Sequence, residues 1–167
     1  MPDAPPHHAA TFAYHRGLAP LLWVFAFIMA AELLVTHLLV SALWSGTAAF
    51  IFSAISLAAL LWTLFFIRAL KRRPVLVDAD GVTMRVGSLG SVRVPAGSIA
   101  GLRTSWPREA LKQRGVLNLA LINYPNVMLD LDPPLPARKR PLTAIAHRLD
   151  DPAGFAAAVA RLTEARA

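Results

Sequence analysis

Glu32 is the only charged residue in the apolar run GLAPLLWVFAFIMAAELLVTHLLVSALW, from Gly17 to Trp44. An ionisable group near the centre of a bilayer costs about 2.5–3.5 kcal/mol on insertion scales, and such groups turn toward a protein interior. His37 stands five positions further on. Acid and imidazole together could relay a proton or an ion. Five residues, however, turn an α-helix by roughly 140°, so the two share no face, and two helices alone enclose no pathway. A second run, GTAAFIFSAISLAALLWTLFFI from Gly46 to Ile67, carries no charge. Folded back antiparallel, it brings Ser56 or Ala59 to the depth of Glu32 and Ser53 to the depth of His37. The plainer chemistry is hydrogen bonding, Glu32 with Ser56 and His37 with Ser53, gluing the hairpin or its contact with an oligomer or partner.

The remaining acids point away from catalysis. Asp78/Asp80 and Asp130/Asp132 have strand spacing, so each pair projects from one face and could serve acid–base work or bind a divalent ion. Asp80 is more cheaply explained as the turn residue before Gly81, and Asp132 as a loop residue before Pro133. No P-loop, G-x-G-x-x-G, H-E-x-x-H or G-x-S-x-G pattern occurs. There is no cysteine, which rules out disulfides and thiolate metal sites and suits a reducing compartment. His7, His8 and His15 lack the partner cluster a metal needs. The expectation is a non-enzyme with no cofactor and no metal.

Cations outnumber acids, giving a net charge of +7. Arg68, Lys71, Arg72 and Arg73 follow the second apolar run, and Arg138, Lys139 and Arg140 form a second group. The first group reads chiefly as a topology signal, with attraction to anionic lipid as its other use. No basic helix or recognised motif supports nucleic-acid binding. Trp106, Arg108, Lys112 and Arg114 share a loop that ends at Gly115. That loop is the leading candidate recognition surface, unless Trp106 instead closes the core.

These groups need elements to position them. Each apolar run exceeds the roughly 20 residues that cross a bilayer as a helix, and the turn between them is Ser45-Gly46. Residues 17–70 therefore read as a two-helix transmembrane hairpin, with Ala26/Ala30, Ala49/Ser53 and Ala54/Ala58 as small-residue spacings for helix contact. The first run is too long for the core of a cleaved signal, and a second span follows it at once. Cations flank the hairpin's open end and none marks its tip, so the positive-inside rule expects both termini in the cytoplasm of a multi-pass inner (plasma) membrane protein. Residues 1–16, with three prolines, read as a flexible cytoplasmic tail.

Residues 74–167 read as a separate domain. Short strands are expected at Val75–Asp78, Val82–Val86, Val92–Val94, Ile99–Ser105, Val116–Ile122, Val127–Leu131 and Leu142–Leu149, with the first turn at Asp80-Gly81. Val116–Ile122 is apolar apart from Asn118 and reads as buried on both faces. Pro133, Pro134 and Pro136 argue against regular pairing there. Asp150 or Asp151 then caps a C-terminal helix whose Phe155, Val159 and Leu162 form one apolar face.

This order resembles that of a pleckstrin-homology-like (PH-like) domain, and with the hairpin the chain is similar to bacterial membrane proteins that carry one. The resemblance covers roughly residues 18 to 165 and is carried locally by LVDADGVTMRV, NVMLDL and HRLDDPAGFAAAV. It implies an all-β sandwich or barrel of about seven strands capped by the C-terminal helix, and a role in membrane-linked binding or assembly. It does not imply inositide recognition, because the first β-hairpin offers Arg85 and Arg93 beside the acids Asp78 and Asp80. The functional expectation is an interaction module for protein, self or membrane surface. The alternative is an accessory subunit of a transporter or membrane enzyme, with Glu32 and His37 facing the partner.

Overall fold

The computed structural model describes residues 9–137 and 140–165; His7, His8, Arg138 and Lys139 lie outside them. A short strand β1 (Ala10–Phe12) comes first, then helices α1 (Ala19–Leu43) and α2 (Gly46–Arg72). Strands β2 (Val75–Asp78), β3 (Gly81–Val86), β4 (Gly90–Pro95), β5 (Ile99–Arg103), β6 (Val116–Asn118), β7 (Val127–Leu135) and β8 (Leu142–His147) follow, and helix α3 (Pro152–Glu164) closes the chain. Both long helices are long and apolar enough to cross a membrane; at about 1.5 Å per residue, the 25 residues of α1 reach about 37 Å.

The hairpin has the seam of a left-handed coiled coil. In α1 the more sheltered positions are Leu22, Ala26, Met29, Leu33, Thr36 and Val40, and in α2 Ala49, Ser53, Ser56, Leu60, Thr63 and Ile67. That four–three alternation is the 3.5-residue repeat that keeps one stripe against its partner. Of the small residues expected at the contact, Ala26, Ala49 and Ser53 sit on the seam, while Ala30, Ala54 and Ala58 face outward. At the tip, the Ser45 hydroxyl accepts the Ala48 N–H at 3.1 Å and caps α2.

The β region holds eight strands in two four-stranded sheets, one more strand than expected. One sheet runs β1-β2-β3-β4, antiparallel throughout, and the other β5-β7-β8-β6, with β6 parallel to β8. The additional strand comes from the segment read as a tail: Ala10–Phe12 pairs with Val75–Val77. The hairpin is thus the connection between two neighbouring strands of one sheet. Leu18, Phe66 and Leu70 share a core with Val75, Leu129 and Phe155, so hairpin and domain are continuous in packing. Phe155 is fully buried and meets the Phe12 ring edge-on at 5.3 Å. Asp151 caps α3 by accepting the Gly154 N–H at 2.9 Å.

Two local expectations give way. Val116–Ile122 is a strand only to Asn118, whose Oδ1 accepts the Ala120 N–H at 2.9 Å and turns the chain out. Leu121 and Ile122, expected inside, are exposed. Conversely, β7 continues through Pro133 and Pro134. The ladder to β8 is interrupted after Asp130 and resumes at Leu135, so the prolines occupy positions where no partner needs their missing N–H.

Candidate functional site at the base of the hairpin

The end of the hairpin where α1 begins and α2 finishes is built from residues far apart in sequence. Tyr14, just before α1, is buried, and its hydroxyl accepts the Gly87 N–H at 2.6 Å. Gly87 has φ +49°, and a Cβ there would lie 3.0 Å from Phe66 Cε2, so only glycine lets the β3–β4 turn approach α2 this closely. His147 joins the two sheets from β8. Its Nδ1 accepts the Arg148 N–H at 2.8 Å, which leaves Nε2 to donate to the Arg85 carbonyl at 2.9 Å. The Tyr14 and His147 rings lie 5.0 Å apart.

Burial, the main influence, pushes the His147 pKa below its ordinary value, with the two backbone bonds opposing it. Burial also raises the Tyr14 hydroxyl, more than the Gly87 N–H and the nearby Arg85 and Arg73 charges lower it. The site therefore holds a neutral phenol and a neutral imidazole beside two guanidinium groups.

Beside this network lies a cavity of about 270 Å³ lined by Arg73, Arg85, Gly87, Ser88, Gly90 and Ser91. Among the described residues neither arginine has an ion-pair partner; the pairs that form are Arg93 with Asp78 and Asp80, and Arg103 with Asp130. Unpaired guanidinium groups with nearby hydroxyls suit an anion with several oxygens, such as a phosphate. Exposed apolar tips flank the cavity. Leu89 crowns the β3–β4 turn at 57% exposure, and Leu121 and Ile122 stand at 43% and 60% in the loop after β6. That loop is tied to the start of α1, the Asn123 side-chain amide donating to the Gly17 carbonyl at 3.4 Å.

The positions singled out in the sequence are spread over three places. Arg68, Lys71, Arg72 and Arg73 are exposed along the end of α2, where cations also complement the helix C-terminus. In the middle of the hairpin, His37 Nδ1 and Ser53 Oγ meet at 2.8 Å. Glu32 makes no hydrogen bond with Ser56 among the described residues: the register set by His37–Ser53 and Met29–Thr63 puts Ala58, Ala59 and Leu60 at its depth. Ser56 lies in the seam, and the Glu32 side chain is exposed on one flank.

Trp106 is half-buried, not projecting. Its ring stacks at 6.3 Å on Tyr124 and packs over Ala110, Met128, Ala144 and Ala146, with Nε1 buried and without a hydrogen-bond partner among the described residues. Arg108, Lys112 and Arg114 are exposed around it. The acidic pairs serve structure. Asp78 accepts the Asp80 and Gly81 N–H groups at 3.0 Å and holds Arg93 at 3.0 and 3.1 Å. Burial alone would raise the Asp78 carboxyl, but these bonds together hold it below its usual range. Asp130 is paired with Arg103, and Asp132 is exposed.

Comparison with protein-family models, with curated proteins and with solved structures returns no match for this chain. The base site had one visible signal in the sequence, the apolar Leu119–Ile122 run interrupted by no turn residue before Asn123. Nothing in spacing joined Tyr14, Arg85 and His147, which come from three separate parts of the chain.

Proposed function

We propose that this chain is a non-enzymatic membrane-anchored interaction module. Its hairpin spans a bacterial inner membrane with both termini in the cytoplasm, and its β domain rests against the cytoplasmic bilayer surface. The observation that carries this reading is the grouping of exposed Leu89, Leu121 and Ile122 with Arg73 and Arg85, which have no ion-pair partner among the described residues, all at the open end of the hairpin. With the hairpin inserted, these tips stand at headgroup level. Apolar side chains then enter the interface while each nearby cation adds about 1 kcal/mol of attraction to anionic lipid. Two sheets closed by a C-terminal helix support a PH-like assignment; the hairpin between β1 and β2, and the parallel β6–β8 pair, would be this chain's departures from that pattern. The accessory-subunit reading draws on one observation, the outward-facing Glu32.

The absence of cysteine makes the test direct. Leu89→Cys and Ile122→Cys, each carrying an environment-sensitive dye, are reconstituted in proteoliposomes containing anionic lipid. Ala79→Cys, at the opposite end of the sheet, is the control. Blue-shifted emission at the first two positions and water-like emission at the third is the expected result. Water-like emission at all three overturns the surface-resting domain. Ser45→Cys should react with an impermeant maleimide from outside the cell, as a hairpin tip beyond the membrane requires.

A further inference from the structure

Glu32 and His37 occupy opposite flanks of the hairpin. Relative to the Ala26–Met29–Leu33–Thr36 seam, Glu32 falls just to one side of the stripe and His37 just to the other, as positions g and e do in a heptad. One flank thus displays an exposed carboxyl with no hydrogen bond among the described residues. The other displays His37 at the edge of a groove of about 450 Å³, also lined by Ala30, Leu33, Ser53, Ala54 and Leu57. Ser53 occupies His37 Nδ1, leaving Nε2 for a second partner. The small side chains Ala30, Ser53 and Ala54 allow another helix to approach closely.

We propose that copies of this chain associate side by side in the membrane, Glu32 of one copy entering the groove of the next and meeting His37. The inference rests on the membrane reading above. It follows from complementarity: the group that is costly to leave in lipid is matched by the polar group on the opposite flank of the same molecule. All copies inserted by one topology point the same way. Glu32 and His37 then differ in depth by about 7.5 Å, which the reach of the two side chains and a tilt of about 20° cover. A two-fold contact through the Glu32 flanks would instead set acid against acid. The arrangement is therefore head-to-tail around the membrane normal, giving a closed ring or an open row.

Cysteine pairs in the full chain decide it. Differently tagged populations carrying Leu39→Cys, on the Glu32 flank, and Phe50→Cys, beside the groove, are co-expressed and oxidised in membranes. Leu39–Phe50 cross-links between copies are expected, with few self-pairs of either kind. Glu32→Leu should lower the cross-link about ten-fold, the scale of one lost intramembrane hydrogen bond. The exchange Glu32→His with His37→Glu should restore it where each single change does not. Self-pairs in place of the mixed pair, or a foreign protein held in fixed ratio with no mixed pair, overturn the proposal. If Ser45→Cys labels from outside and the mixed cross-link is missing, this inference fails alone. If Ser45→Cys is unreachable and the chain is extracted by carbonate, the membrane reading fails with it.

Discussion

Replacing Tyr14 by Phe removes one oxygen from the junction between hairpin and domain and little else. The Tyr14 ring is 6% exposed, and its contact with His147 at 5.0 Å survives the change. What is lost is the acceptor of the Gly87 N–H, held at 2.6 Å in a buried position. Leaving such a donor unpaired costs about 1–3 kcal/mol, more than the net worth of an ordinary hydrogen bond, because the desolvation penalty has nothing to offset it. The β3–β4 turn cannot swing out to recover a partner cheaply, since Gly87 is pressed against Phe66 and Leu70. For a domain of this size a loss of about 2 kcal/mol moves a urea midpoint by roughly 1 M. The assay is urea unfolding of the full chain in detergent, together with hydrogen exchange at the Gly87 amide. Tyr14→Phe should lower the midpoint and speed Gly87 exchange, while distant α3 amides lose only the global share. An unchanged midpoint with unchanged Gly87 protection would refute the reasoning that this bond joins the pre-hairpin segment to the turn.

Three further outcomes follow from the same structure. His147 holds its neutral form below its ordinary pKa, so the unfolded chain binds the proton more readily; stability should fall as pH drops through about 6.5 toward the lowered value, and His147→Gln should flatten that slope in thermal melts. Phe155→Ala empties a fully buried site against Phe12 and should cost about 3–5 kcal/mol by chemical denaturation. Arg73→Ala with Arg85→Ala should reduce the anionic phospholipid retained on the purified chain, read by native mass spectrometry, without reducing zwitterionic lipid; equal retention of both would count against a phosphate in the cavity.

The elements legible in the sequence were those whose signal is local. Two long apolar stretches, one with Glu32 as its only charge and one with none, specify their own helices, and Asp80-Gly81 and Asp151-Pro152 mark a turn and a cap that depend only on near neighbours. His37 opposite Ser53 was also accessible, because an antiparallel hairpin with a short turn fixes depth by counting. The same counting offered Ser56 or Ala59 opposite Glu32; the register bears out Ala59 for depth and leaves Ser56 about a turn away. Which flank a side chain takes follows from the seam, and the seam depends on both helices at once. Ala10–Phe12 was hidden for a similar reason. A three-residue strand has almost no pattern of its own, and its partner lies more than sixty residues away, across the whole hairpin. Leu119–Ile122 read as core because apolar residues are expected to be buried; the Asn118 side chain that turns this run outward acts through a single hydrogen bond.

Placing the hairpin between β1 and β2 has a mechanical consequence. A domain hung from one flexible linker can rotate freely beneath a membrane anchor. Here the chain enters and leaves the helices through adjacent strands of one sheet, and both crossings are packed: Tyr14 and Leu18 on the way in, Leu70 and Val75 on the way out. Asp150 adds a tie from the far end of the chain, donating its N–H to the Ala13 carbonyl at 2.9 Å and accepting the Arg16 N–H at 3.1 Å. Any change in hairpin tilt must then move the domain with it or break buried contacts. Side-by-side association through Glu32 would therefore fix the spacing of the β domains as well as that of the helices. It would array the Arg73–Arg85 cavities and the Leu89 and Ile122 tips at one level along the bilayer. Each domain's weak grip on lipid would then act many times over at short range, which is how modest individual contacts become a firm attachment.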